Sequence, residues 1–282
     1  MILFKIATEL IKYLRTKREL GKSIGFVPTM GALHAGHISL IENSKKNHDI
    51  TIASIFVNPT QFNDPQDFAK YPVTMENDIA SLEMAGCDIL FVPSIGEMYP
   101  AGTDNLAYYP LGQLENMLEG KYRPGHFQGV CQVMNRLLEI VLPTTLFLGQ
   151  KDYQQCMVIN KLISLKKFNM ALAIIPTFRE PSGLAMSSRN MRLSDADKSS
   201  AAVIYRSLEY IKQHVKAGEL ASYKELAISM IKEAGFEKID YVEIADAGSL
   251  QPIIYWDGQT PIVGLVAAFI AGVRLIDNMS LN

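Results

Sequence analysis

The segment Pro28 to His37 carries the residues best suited to chemistry, because His34 and His37 lie three residues apart beside Gly31 and Gly36. It joins a short apolar run to a helical pattern. Glycines allow tight turns and close approach of a ligand, while the start of a helix offers unpaired N–H groups and a positive dipole end. Such donors stabilise the charge that grows during in-line displacement at an α-phosphate. The segment predicts a phosphate site; loop histidines satisfied by backbone groups are the alternative.

A second cluster, Gly149-Gln150-Lys151-Asp152, also follows an apolar run that predicts a strand. Lys151 is suited to place an ammonium on a phosphate, and Asp152 to accept from a ribose hydroxyl. A solvated lysine and a helix-capping aspartate remain the competing interpretation of this tetrapeptide.

A third cluster, Met186-Ser187-Ser188-Arg189-Asn190, lies in the loop after the last strand of the first predicted domain. Two hydroxyls followed by a guanidinium make a compact phosphate clamp, in which arginine adds bidentate geometry. The alternative is an ordinary helix-capping turn rich in serine.

Two further segments have the side chains expected of substrate contacts. Asn58 and Gln61 follow the second predicted strand, so they are positioned to hydrogen-bond a small polar acid at the same edge of the sheet. Arg123 and His126 supply a cation and an imidazole before a helix. Turn formation by Asn58 and a surface charge at Arg123 are the alternatives.

The sequence does not predict a metal ion held by protein ligands alone. His34 and His37 lack a second ligand pair at zinc-finger spacing. Asp78 is expected to face solvent on its helix, and Asp88 to open a strand rather than to bind metal. Any Mg²⁺ is expected to ride on nucleotide phosphates and to keep its waters.

Apolar β-like runs alternate with helical patterns through the first part of the chain, which argues for a parallel sheet covered on both faces. Ligands of such sheets bind at the carboxyl ends of the strands. The predicted strands are Ile24 to Val27, Ile50 to Val57, Asp88 to Val92, Leu146 to Leu148 and Ala171 to Ile175, and the predicted helices are Ser39 to Asn47, Glu76 to Ala85, Val130 to Val141 and Gln154 to Lys166.

The alternation ends after Pro176, where a smaller α+β domain is predicted. We therefore expect one domain over residues 1–176 and a second over 177–282. The second holds helices at Ala196 to Ala217 and Ser222 to Ala234, followed by strands at Asp240 to Ile244, Ile262 to Ile270 and Val273 to Ile276.

Composition excludes several classes of protein. Apolar residues make up 48% and charged residues 20%, as in ordinary globular domains. The net charge of −2 gives no overall attraction to nucleic acid or to an anionic membrane. The three cysteines form no Cys-x-x-Cys pair, which indicates buried thiols in a reducing cytoplasm. The N-terminal residues from Ile2 to Leu14 show helical spacing, and this predicts an amphipathic surface helix rather than a secretory signal.

With these residues in hand, the chain resembles the pantothenate synthetase family over nearly its whole length. The matching stretches are Val27 to His37, Ser54 to Phe62, Arg123 to Val130, Leu148 to Gln155, Gly183 to Asn190 and Arg274 to Asn278. The resemblance implies a Rossmann-like ATP domain, a Mg²⁺ requirement, a homodimer, and a C-terminal domain that closes over the site.

The resemblance also assigns roles to residues. It names His37 as the acid catalyst, and we add His34, Lys151 and Arg189 as catalytic candidates. It places pantoate on Gln61 and Gln155, with Asn58 and Arg123 as further substrate candidates. The family commonly has Glu where this chain has Gln150, which leaves a carboxylate role there in doubt. The implied ATP contacts are Met30, Gly31, Ala32, Leu33, His34, Ala35, Gly36, His37, Gly149, Gln150, Lys151, Asp152, Phe178, Met186, Ser187, Ser188 and Arg189.

These observations favour a ligase that activates pantoate as an acyl-adenylate and couples it to β-alanine. Two alternatives keep the nucleotide site. One is a nucleotidyltransferase acting on a phosphate monoester, which fold and histidine motif alone do not exclude. The other is a non-catalytic nucleotide-binding regulator. The uncharged Gln61 and Gln155 suit a neutral hydroxyl-bearing acid better than a phosphate.

Overall fold

The computed structural model describes residues 1–62, 68 and 71–282. Packing of the chain divides it into two compact units. The first unit holds Met1–Gly149 and Gln154–Pro176, and the second holds Gln150–Tyr153 and Thr177–Asn282. The short piece after Gly149 therefore packs with the C-terminal unit. The functional division into an ATP domain and a closing domain stays a prediction.

The described elements follow one another in the order strand, helix, strand through most of the first unit. The strands are β1 (Ile2–Phe4), β2 (Ile24–Thr29), β3 (Ile50–Ile55), β4 (Ile89–Phe91), β5 (Thr145–Gly149), β6 (Ala171–Ile175), β7 (Gly218–Glu219), β8 (Lys238–Asp246), β9 (Tyr255–Trp256), β10 (Ile262–Ile270) and β11 (Val273–Ser280). The helices are α1 (Ala7–Glu19), α2 (Ala35–Asn47), α3 (Met75–Met84), α4 (Ile95–Met98), α5 (Glu119–Tyr122), α6 (His126–Val141), α7 (Tyr153–Lys166), α8 (Asp195–Ala201), α9 (Val203–His214) and α10 (Ala221–Glu233).

The sheet of the first unit has six strands in the order β1-β4-β3-β2-β5-β6, and every pairing is parallel. Neighbouring residues of β2 belong to different cores, with Phe26 in one and Val27 in another. Both faces of the sheet are therefore covered, which explains why β3 is buried along its whole length. The strand order reverses between β2 and β5, so a ligand crevice is expected at their carboxyl ends.

The second unit is built on a three-stranded antiparallel sheet in the order β11-β10-β8. Strand β10 is almost wholly buried, since helix residues such as Leu208 and Ile231 join its side chains in one core. The apolar run that predicts a buried strand at Ile262 to Ile270 is confirmed in place and length. The predicted fold class, a parallel α/β sheet with a smaller C-terminal α+β region, is confirmed.

The N-terminal prediction is partly wrong. Ile2–Phe4 form the edge strand β1, and the helix begins only at Ala7. Parallel pairing of Ile2 with Ile89 satisfies backbone groups that the helical pattern of the sequence cannot reveal. The pair β7–β9 was also not predicted, because each strand is only two residues long.

All three cysteines are buried thiols that form no disulfide, as the sequence indicates. Burial raises the pKa of Cys87 to about 11 and that of Cys131 to about 12, so these thiols stay protonated at neutral pH. In the described part of the chain, no helix is long and apolar enough to cross a membrane.

Candidate functional site

The loop after β2 turns sharply before helix α2 begins. Gly31 has φ of 83° and Ala32 has φ of 51°, so two consecutive residues adopt the left-handed conformation. His34 is the N-cap of α2, and its side chain accepts from the backbone N–H of Gly36. The loop is therefore held in a sparsely populated conformation at the expected crevice.

The two imidazoles form a reciprocal cap that fixes their protons. His34 Nδ1 accepts from Gly36 N at 3.2 Å, and His37 Nδ1 accepts from His34 N at 3.3 Å. Their ring centroids lie 4.1 Å apart. Because each Nδ1 is an acceptor, a neutral ring carries its proton on Nε2. Both rings are thus oriented as Nε2–H donors, the form that suits a phosphate oxygen.

Asp78 holds the turn by accepting hydrogen bonds from its backbone. The expectation that Asp78 faces solvent is wrong. Its carboxylate accepts from Ala32 N at 2.9 Å, Leu33 N at 2.8 Å and Thr74 Oγ1 at 3.0 Å. The side chain is only 2% exposed. A buried carboxylate that satisfies two consecutive N–H groups keeps the left-handed turn in place.

The expectation that the start of helix α2 offers unpaired N–H groups is corrected for Gly36 and His37, and the preceding loop also uses two of its N–H groups. The N–H groups of Ala32 and Leu33 point at Asp78, while those of Gly36 and His37 bond to His34. Contacts of the side chains of His34 and His37 with a phosphate stay a prediction. Contacts of Ala32 and Leu33 with ATP stay a prediction.

Asn58 braces the turn that carries Gln61. It is 1% exposed, its Oδ1 accepts from Tyr99 Oη at 2.7 Å, and its Nδ2 donates to Gly129 O at 3.1 Å and Gln61 Oε1 at 3.2 Å. Both amide hydrogens are used within the protein. The turn-forming alternative therefore describes Asn58 in this structure, and its direct contact with a substrate stays a prediction.

Gly129 on helix α6 makes close packing of this turn possible. A Cβ at Gly129 would overlap with the carbonyl group of Thr60. We expect Gly129→Ala to lower the free energy of unfolding by about 1 to 3 kcal/mol through overpacking, measured by urea denaturation. Gly96→Ala, whose Cβ would meet only Ser94 Oγ at 3.8 Å, is the control. Equal stability of the two variants would contradict this account of the packing.

Arg123 and His126 belong to a hydrogen-bond network that includes Gln61. His126 is buried, its Nδ1 lies 2.8 Å from Gln61 O, and its Nε2 lies 3.2 Å from Arg123 Nη1. Since a carbonyl only accepts, Nδ1 carries the proton and Nε2 accepts from Arg123. Gln61 Nε2 also lies 3.0 Å from Met30 Sδ. The structure thus joins Met30, Gln61, His126 and Arg123 in one network within the first unit. Gln155 is half-buried on α7.

The second unit holds Gln150–Asp152 of the second predicted cluster and the whole of the third. Lys151 is 19% exposed in its side chain, with Nζ 3.8 Å from Asp152 Oδ1. Ser187 caps the short 3-10 turn Ser188–Arg192 and accepts from Arg189 N at 3.2 Å, so the capping alternative describes Ser187. Phe178 is 45% exposed, and its carbonyl accepts from Met186 N.

An ion pair between the partly buried Arg179 and the buried Asp277 lies in the same unit. Arg179 Nη1 and Nη2 donate to the two carboxylate oxygens of Asp277 at 2.6 and 3.0 Å. Burial raises the pKa of Asp277, although the hydrogen bond from Arg179 opposes the shift. The adjoining Asn278 donates from Nδ2 to Gln150 O at 2.9 Å and Lys151 O at 2.8 Å. The predicted segment at Gln150–Asp152 is therefore fixed to strand β11.

Comparison with known proteins decides the family. The family model described as pantoate-beta-alanine ligase matches residues 2–280. The chain belongs to this family. It is 43% identical over 281 residues to pantothenate synthetase of Cytophaga hutchinsonii, covering 99% of both chains, and 43% identical over 271 residues to that of Herpetosiphon aurantiacus, covering 95% and 97%.

Solved structures of pantothenate synthetases share the fold. The enzyme from Thermus thermophilus superposes with a TM-score of 0.91 at 36% identity, covering 100% of this chain and 99% of that one. The pantoate-beta-alanine ligase from Francisella tularensis, solved with beta-gamma ATP and beta-alanine, gives a TM-score of 0.83 at 38% identity, covering 100% and 98%. The suspected family and the ligase class are confirmed.

Several residues that organise this chain through long-range hydrogen bonds were missed or misassigned from sequence. Asp78 was assigned to solvent, while Tyr99 and Arg179 were given no role. Asp277 and Asn278 fell within a family-matching stretch, which was the available signal, but no chemistry was assigned to them. Each acts through hydrogen bonds to residues far away in the chain, and such bonds leave no local pattern.

Proposed function

We propose that this chain condenses pantoate with β-alanine at the expense of ATP, through a pantoyl-adenylate, with release of pyrophosphate and then AMP. The observation that carries the proposal is the family match over residues 2–280. The relative from Francisella tularensis was solved with beta-gamma ATP and beta-alanine, which supports ATP and β-alanine as ligands of this chain.

In the first step, a carboxylate oxygen of pantoate attacks the α-phosphorus of ATP, and the bond to pyrophosphate breaks. Negative charge grows on the α-phosphoryl oxygens and on the leaving group. We assign its stabilisation to His34 and His37, whose orientation as Nε2–H donors supports the role. Lys151, Ser188 and Arg189 are assigned to ATP from their chemistry and from the family resemblance.

In the second step, the amine of β-alanine attacks the acyl carbon of the adenylate, the amide bond forms and AMP leaves. The carboxylate of pantoate is a poor acyl donor until AMP is attached to it. Alignment of amine and acyl carbon can supply much of the rate enhancement, so this step needs few catalytic groups. The residues proposed to align pantoate are Gln61 and Gln155, with Gln61 held by Asn58 and His126.

Mg²⁺ belongs to the proposal as a partner of the ATP phosphates. Within the ranges that the structure describes, no group of three or more His, Cys, Asp and Glu side chains is arranged to hold a metal ion. We expect an ion on the ATP to be coordinated mainly by phosphate and water oxygens, the usual coordination of Mg²⁺. It would neutralise the charge on the triphosphate. The homodimer, the cytoplasmic location and the closing role of residues 177–282 also belong to the proposal.

The proposed first step predicts exchange of labelled pyrophosphate into ATP that depends on pantoate and does not need β-alanine. The reason is that adenylate formation is reversible once pantoate and ATP are bound. Exchange without pantoate, or exchange supported by a phosphate monoester instead, would favour a nucleotidyltransferase. ATP binding without any exchange or AMP formation would favour a non-catalytic regulator.

A further inference from the structure

The side-chain amide of Asn278 is fixed by its surroundings. Asn278 is 2% exposed, and its Nδ2 donates to the carbonyl oxygens of two consecutive residues, Gln150 and Lys151. With Nδ2 committed in this way, Oδ1 faces Gln150 Nε2 at 3.4 Å. An amide at position 150 can donate to that oxygen, whereas a carboxylate cannot. The side-chain amide of Gln150 therefore matches the orientation of Asn278.

The residue before Asn278 is locked by a second set of bonds. The carboxylate of Asp277 is bidentate to Arg179 and also accepts from Asn278 N at 2.8 Å. Arg179 reaches further, donating to Gly183 O at 3.0 Å and to Asn278 O at 3.3 Å. Its guanidinium carbon also lies 4.6 Å from the ring centre of Tyr205. The planar guanidinium of Arg179 therefore has little freedom to move.

The same arginine orders the segment that carries the third cluster. Arg179 pairs with Ala185 through an isolated antiparallel bridge, and Met186 N donates to Phe178 O at 3.0 Å. Asn190 then closes the turn after Ser187, donating to Glu180 Oε1 at 2.9 Å and Ala185 O at 3.1 Å. Two segments assigned to ATP are thus tied to one buried dipeptide, Asp277-Asn278.

We propose that Asn278, fixed by the Arg179–Asp277 pair, is a positioning residue that sets the backbone at Gln150 and Lys151 for binding of ATP. The inference rests on the proposed function, since it assigns Lys151 to the nucleotide. The ammonium of a lysine stands at the end of a flexible four-carbon chain, so its position depends on how firmly the backbone of that residue is held. Asn278 touches no reacting atom in this scheme and acts through Lys151.

Asn278→Asp is the sharpest test, because it keeps the shape and replaces the Nδ2 donor with an oxygen that faces two carbonyl oxygens. We expect kcat/KM for ATP in the pantoate-dependent exchange to fall about tenfold or more, mainly through KM for ATP. In the full reaction, KM for β-alanine should change by less than about twofold. A general loss of structure would instead change the KM for ATP and the KM for β-alanine together. It could also lower the fraction of active enzyme without changing one KM more than the other.

Asn282→Asp is the matched control in the same unit. Asn282 Nδ2 donates to Thr260 O at 3.1 Å, so this substitution also turns a backbone-binding amide into a carboxylate. It should leave KM for ATP unchanged. The proposal is overturned if Asn278→Asp keeps the wild-type KM for ATP or loses no more than Asn282→Asp.

A second variant tests the proposal in case Asn278→Asp does not fold. Asn278→Ala removes the two hydrogen bonds that Nδ2 donates and the one that Oδ1 accepts from Gln150, without adding repulsion. If Asn278→Asp is insoluble, Asn278→Ala tests the proposal by the same comparison of the KM for ATP with the KM for β-alanine. A wild-type enzyme that shows no pantoate-dependent exchange would refute the proposed function itself. Normal wild-type exchange combined with unchanged KM values in both Asn278 variants would refute the positioning role alone.

Discussion

Replacing His37 with alanine is expected to slow pantoate-dependent pyrophosphate exchange by about 10² to 10³, the usual loss for one oriented transition-state donor. His37 Nδ1 accepts from the N–H of His34, so the ring presents Nε2–H. Replacing His37 removes both the Nε2–H donor and the capping hydrogen bond that Nδ1 accepts from His34 N. Exchange kinetics at saturating ATP and pantoate measure the effect, with thermal unfolding in parallel to detect loss of the cap.

His48→Ala is the control for His37→Ala, since His48 lies at the other end of helix α2. Its Nε2 lies 2.9 Å from Thr145 Oγ1, and its ring packs edge-on against Phe147. Its loss should weaken the helix while leaving the exchange rate within about twofold of wild type. If His37→Ala exchanged as fast as His48→Ala, His37 would have no place in the first step.

Asp78→Asn is expected to reduce kcat/KM for the exchange by about 30- to 100-fold, because it disturbs the turn that precedes the histidines. One carboxylate oxygen accepts from Leu33 N and the other from Ala32 N. An amide can accept from only one of them, and its NH₂ group then opposes the second N–H. The penalty for an unsatisfied buried donor is about 1 to 3 kcal/mol, and it falls on a turn that is already left-handed at Gly31 and Ala32. Exchange kinetics and urea denaturation together measure it.

Glu76→Gln makes the same charge change in the first turn of α3, at an exposed position. It should leave both activity and stability close to wild type. Wild-type activity in Asp78→Asn would show that the turn holds its shape without the carboxylate. A loss of stability with unchanged activity would limit Asp78 to a structural role.

The elements that position the site followed from local patterns in the sequence. Apolar β-like runs predicted β2, β3, β5 and β6 close to their observed bounds. Strands β2, β3 and β5 are largely buried, and strands covered on both faces need apolar residues throughout; the edge strand β6 is apolar although it is only partly buried. Boundaries shifted where hydrogen bonding decides them: α6 begins at His126, although its predicted start was Val130. Residues 150–153 belong to the second unit, where Asn278 binds the carbonyls of Gln150 and Lys151 and Tyr153 Oη donates to Ala247 O. No local pattern shows these bonds.

The candidate site was predicted unevenly for the same reason. His34 and His37 lie within one turn of each other, so their spacing alone indicates a shared role. Asn58 was assigned to a substrate, yet its partners Tyr99 and Gly129 lie 41 and 71 residues away. A polar residue beside a turn has the same sequence signature whether it binds a ligand or braces the protein. Only its neighbours in space distinguish the two.

The sequence by itself determined the family, the parallel sheet and the residue types that suit a triphosphate, because these depend on local periodicity and on motifs of a few residues. The tertiary structure decided which protons the imidazoles carry, which N–H groups Asp78 takes, and which strand holds Lys151. The last two features depend on hydrogen bonds between residues 45 to 128 positions apart in the chain. Such pairs meet only when the chain packs and water is excluded, so packing, and not spacing, selects them.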